Sequence, residues 1–161
     1  RQMCIRDSFT KSGDAHMVNI HSKDITPRMA VASGKIYMSA TSIKKIKDRS
    51  HKKGDVLGVA RIAAITASKK TSDLIPLCHN INLASVSVIF KVNSSKKYVY
   101  CEANVSTSGK TGVEMEALTT VQVGLLTIYD MCKSIDKGMK ITDVQLELKK
   151  GGASGEWRRT K

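Results

Sequence analysis

Aromatic side chains make up only 4% of the 161 residues, with one Trp, four Tyr and two Phe. A core must therefore be aliphatic, drawn from the Val, Ile, Leu, Met and Ala within a 41% hydrophobic content. Proline occurs twice, which excludes a proline-rich linker or polyproline ligand. No apolar run approaches the ~18 residues of a membrane span, so no membrane partner is expected. The four cysteines at 4, 78, 101 and 132 are too dispersed for a Cys-x-x-Cys knuckle, and the histidines at 16, 21, 51 and 79 show no ligand spacing. No metal site is expected. A chain of this length buries roughly 70% of its unfolded surface without staples, so reduced thiols in a cytoplasmic compartment are the expectation. Acidic residues are few as well: 14 Asp+Glu stand against 27 Lys+Arg, a formal charge of +13. Such a surface attracts polyanions, whether nucleic acid or a phosphate-rich small molecule.

What is present divides into one domain. Residues 1–12 show no periodicity and are read as a disordered or non-native leader. Residues 158–161 form a basic tail, leaving 13–157 as a single unit. Arg28–Met38 is β-like with a break at Gly34, and Thr41–Arg49 is a short basic helix. Asp55 is placed as an N-cap, followed by a helix lined with the small residues Gly58, Ala60, Ala63, Ala64 and Ala67. Val86, Val88 and Phe90 alternate, as do Val99, Cys101, Ala103 and Val105, around a polar turn at Asn93–Lys96, which predicts a hairpin. Leu118, Val121, Leu125, Ile128, Cys132 and Ile135 recur at helical spacing, with Gly138 as the stop. The last strand places Val144, Leu146 and Leu148 on one face. Strand, helices, strand, strand, helix, strand is the order of an α+β, ferredoxin-like split βαβ fold, an antiparallel sheet with helices packed on one face.

Several short motifs carry chemistry. Gly109-Lys110-Thr111-Gly112 invites a phosphate-loop reading, but that pattern needs a glycine where Asn104 stands, and a parallel sheet. Only the anion preference of a helix N-terminus survives. Asp130 and Lys133, three apart, share one helix face, where a surface ion pair is the plain alternative to catalysis. Glu114 and Glu116 suit the N-terminal end of the helix dipole. Cys78 and His79 are neighbours in an extended segment and point oppositely, so the reading is a core Cys78 and a His79 making a polar contact, not a dyad. Lys44, Lys45, Lys47, Arg49, Lys52 and Lys53 form a cluster followed by Lys69-Lys70 and Lys149-Lys150. These groups are expected to converge on one phosphate-binding cleft, where crowding would depress a lysine pKa.

Taken together, the blocks GDAHMVN, HKKGDV, DLIPLCH, GKTGVEMEA, LTIYDMCK and LKKGGASG closely resemble the cyclic pyranopterin monophosphate synthase family of molybdenum cofactor biosynthesis. Only the first twelve residues and Trp157–Lys161 fall outside the resemblance. It implies a lyase that converts 3′,8-cyclo-7,8-dihydroguanosine 5′-triphosphate to cyclic pyranopterin monophosphate with release of pyrophosphate. It implies a homohexamer, a trimer of dimers, with sites built across subunit interfaces. No cofactor is required, although Mg²⁺ could accompany the triphosphate. By motif position, the catalytic residues are Asp130, Lys133 and Lys53. The substrate-binding residues are Lys69, Leu77, Cys78, His79, Glu114, Met115, Glu116 and Lys149. Asn19 stands where family members commonly carry Asp, and Ala153 where Lys is common. The rival is a basic ferredoxin-like RNA-binding module, disfavoured because the strand YVYCEANV lacks the Gly-Phe core that stacks bases. No nucleic-acid partner is therefore expected.

Overall fold

The computed structural model describes residues 8–161. In chain order the elements are β1 (Thr26–Tyr37), α1 (Ala40–Lys47), α2 (Val56–Ser68), the single turn α3 (Thr71–Leu74), β2 (Ser85–Asn93), β3 (Tyr98–Gly109), α4 (Glu114–Cys132), β4 (Lys140–Lys150) and the short β5 (Trp157–Arg158). The sheet runs β2-β3-β1-β4-β5, and every neighbouring pair is antiparallel. With β3 inserted between β1 and β2, this is the expected α+β arrangement of a split βαβ unit. Cys4 and the first seven residues of the expected leader lie outside the described residues. Residues 8–12 belong to a tight turn in which Thr10 N–H donates to the Asp14 carbonyl at 2.8 Å.

The strand alternation places Val99, Cys101, Ala103 and Val105 fully in the core, opposite Val121, Leu125 and Ile128 of α4. Small residues set how closely the two long helices approach. Ala60 and Ala64 of α2 have no exposed surface, and a Cβ added at Gly124 of α4 would lie 3.3 Å from that of Ala64. Asp55 caps α2 as expected, accepting the Gly58 N–H at 3.0 Å.

Two expectations change. Gly34 does not end β1, although the β1–β4 register shifts across it between Ser33 and Lys35. It lies in mid-strand because an added Cβ would meet Leu125 Cδ1 and Val144 Cγ2 at 2.9 Å. Helix α4 ends at Cys132, well before Gly138, and Ile135 is left 41% exposed. The cause is tertiary: the Asp136 carboxylate accepts the Ser39 N–H at 2.7 Å and the Ser42 hydroxyl at 3.2 Å, fastening the chain to the start of α1.

Candidate active site

Helix α4 carries reactive groups at both ends. At its N-terminus, Glu114, Met115 and Glu116 meet the Leu77-Cys78-His79 segment that follows α3. An open cavity of about 380 Å³ forms there, lined by Leu77, Cys78, His79, Glu114 and Met115 with Val18, Ile20 and Lys23 from the segment before β1. Lys149, near the end of β4, reaches the same place and pairs with Glu114 at 3.1 Å.

The buried partner in this cluster is Glu116, only 3% exposed. Its Oε2 has no hydrogen-bond partner, and its Oε1 lies 4.0 Å from the Cys78 thiol, which donates to it. Burial pushes the Glu116 pKa up, with Glu114 adding to the shift against a lowering backbone hydrogen bond. Burial and then the two carboxylates push the Cys78 thiol up as well. A thiol held protonated is a poor nucleophile, so this geometry suits recognition of a ligand better than attack on it. Cys78 is half-buried on a cavity wall, which corrects its expected place in the core. His79 makes the expected polar contact, donating from Nε2 to the Val18 carbonyl at 2.6 Å.

At the other end of α4, Lys133 Nζ and Asp130 Oδ1 pair at 2.5 Å on an exposed surface. Leu126, Thr127 and Tyr129 complete a depression of about 430 Å³ with them. Lys53, in the turn before α2, donates from Nζ to the Asp130 backbone carbonyl at 3.2 Å. The hydrogen bond from Lys133, then its charge and that of Lys53, hold the Asp130 carboxyl below its usual range. Asp130 in turn holds Lys133 above its ordinary value, first through the hydrogen bond and then through charge. The carboxylate beside the ammonium outweighs the small opposing effect of burial. Both shifts favour the ionised forms.

The expected single cleft is not formed within one chain. Asp130 follows Glu114 by sixteen positions, which at ~1.5 Å per residue puts them about 24 Å apart along α4. The lysines divide in the same way. Lys53 precedes α2 and joins Asp130, whereas the exposed Lys69 follows α2 at the opposite end. Lys110 of the Gly-Lys-Thr-Gly segment holds the chain before β1, donating to the His21 carbonyl at 2.9 Å. Among the described residues, no group of three or more His, Cys, Asp or Glu could hold a metal ion, and no helix is long and apolar enough to cross a membrane.

Val18, Ile20 and Lys23 were not expected to line a site. Their segment has no periodicity; Val18 lies within the GDAHMVN block, but Ile20 and Lys23 lie beyond its end and carried no signal. A model of the MoaC family matches residues 17–152. That span runs from the cavity-lining segment before β1 to the glycines after β4 and holds every expected site residue. The chain belongs to the MoaC family, whose members act in molybdenum cofactor biosynthesis.

Proposed function

We propose that this family member is a cyclic pyranopterin monophosphate synthase, a lyase that rearranges 3′,8-cyclo-7,8-dihydroguanosine 5′-triphosphate and expels pyrophosphate. The observation that carries the reading is the placement of the Asp130–Lys133 ion pair at one end of α4 and of the cavity lined by Cys78, His79 and Glu114 at the other, which suits acid–base work at the first and recognition at the second. Closing the cyclic phosphate requires a sugar hydroxyl oxygen to attack the α-phosphorus as pyrophosphate leaves, and the hydroxyl proton needs an acceptor. Asp130 can take it, while Lys133 and Lys53 can donate protons or steady charge on the leaving oxygens. At the cavity end, the ring and sugar would meet Leu77, Cys78, His79, Glu114, Met115 and Glu116, with Lys69 and Lys149 turned to phosphate. Mg²⁺ would arrive on the triphosphate oxygens, since no carboxylate cage for it occurs among the described residues.

One nucleotide cannot bridge two clusters so far apart on one chain, which favours sites shared between subunits of a homohexamer. A two-fold axis that runs α4 against its own copy would set the Asp130 end of one chain on the cavity of the other, twice per dimer. Ile62 and Leu126, 69% and 57% exposed on the outer side of the helix pair, offer the apolar contact that such an interface uses. RNA binding has less support. Tyr100 on the open sheet face donates to Glu102 at 2.6 Å, with Glu147 nearby, and carboxylates there would repel a phosphate backbone. The test is to incubate the purified protein with the cyclised nucleotide and follow cyclic phosphate product and pyrophosphate by mass spectrometry. Equimolar appearance of both is expected. A folded protein that yields neither would overturn the reading.

A further inference from the structure

The turn between α1 and α2 holds Lys53 in place through a group with no role so far. His51 is 7% exposed, unusually buried for a residue in a stretch crowded with exposed cations. Its Nδ1 accepts the backbone N–H of Lys53 at 3.2 Å, and its carbonyl accepts the Gly54 N–H at 3.0 Å. Gly54 sits at φ +92°, a conformation that L side chains rarely adopt, so the turn is defined on both sides of Lys53. Because Nδ1 accepts, the ring proton lies on Nε2, a buried nitrogen without a hydrogen-bond partner. From this turn the Lys53 ammonium reaches the Asp130 carbonyl.

We propose that His51 is a positioning residue, whose neutral imidazole clamps the Lys53 backbone and so aims the Lys53 ammonium at the Asp130–Lys133 pair. The proposal rests on the catalytic reading of that cluster. Protonation would convert the accepting Nδ1 into a donor facing another donor, breaking the clamp. Burial, then the charges of Lys45 and Lys53, push the His51 pKa down and keep the ring in the accepting form.

Two substitutions separate this role from simple packing. His51→Leu fills similar space without an acceptor, whereas His51→Asn presents Oδ1 close to where Nδ1 lies. The leucine variant should lose about 10- to 100-fold in kcat, the scale of a misplaced catalytic group, with little change in KM. The asparagine variant should recover most of that loss. The ring ¹⁵N spectrum of the wild type at neutral pH should show a bare Nδ1 and a protonated Nε2. A protonated Nδ1, a leucine variant with wild-type kcat, or an asparagine variant as slow as the leucine one would each overturn the proposal. If the leucine variant does not fold, the asparagine variant decides: kcat near that of the wild type is expected, and a large loss overturns it. A wild type without turnover would instead count against the catalytic reading, while the ring spectrum still judged the clamp.

Discussion

Asp130→Asn is expected to cut turnover by at least ~10²-fold, the lower range for loss of a general acid–base group, while the protein keeps its fold, its mass and its affinity for nucleotide. Asparagine preserves the size and hydrogen-bonding outline of aspartate but cannot accept the proton. The side chain is 60% exposed on the last turn of α4, so its loss leaves no cavity and no buried unpaired group. The same change releases Lys133 from the carboxylate that holds its pKa up. An alkaline limb of the rate profile that reports Lys133 should therefore move to lower pH in the residual activity. Turnover against pH for wild type and variant, with thermal melting as control, checks both parts. A folded variant with nearly full activity would reduce the pair to a surface contact.

Gly151→Ala should instead act on stability, and through it on phosphate recognition. Gly151 adopts φ +98°, and an added Cβ would overlap the Pro27 carbonyl oxygen and come within 3.1 Å of Arg28 Cα. Neither neighbour can give way cheaply. Both belong to β1, and Arg28 Nε is tied to the Gly109 carbonyl at 2.9 Å. Left-handed strain costs on the order of 1–3 kcal/mol, and overpacking adds about as much. The ~0.4–1 kcal/mol that Ala gains over Gly by restricting the unfolded chain does not offset this. For a chain of this size the melting temperature should fall by about 5 °C or more. Because Lys149 lies two residues before the strained position, KM for the triphosphate should rise as well. A wild-type melting curve and KM would show that the loop relaxes freely.

The elements that sequence periodicity made legible are those whose own residues determine them. The Val99–Val105 alternation and the small-residue face of α2 read directly as strand and helix because each pattern repeats within one element. The end of α4 did not, since the apolar spacing continues to Ile135 while the stop comes from Asp136 reaching Ser39, far away in sequence. Gly34 was legible only in part: the β4 register does shift there, but its lack of a side chain answers Leu125 and Val144 and the strand continues through it. At the site, the motifs named Cys78 and Glu116, and Lys53, Asp130 and Lys133, as neighbours, but not that α4 holds the two sets apart. The buried, partnerless Glu116 Oε2 and the clamp of His51 on Lys53 became visible only in three dimensions.

The central claim, that the two ends of α4 complete one synthase site between subunits, is tested most directly by mixing two inactive proteins. One carries Asp130→Asn and lacks a working acid–base end; the other carries Glu116→Ala and lacks a working cavity end. After dissociation and reassembly at equal amounts, half the dimers are mixed, and one of the two sites in each mixed dimer has both intact ends. Synthesis of the cyclic pyranopterin phosphate should then return to about a quarter of the wild-type rate, as reciprocal two-fold sites require. Each variant alone should stay inactive. A reassembled, fully folded mixture no more active than its parents would contradict the account.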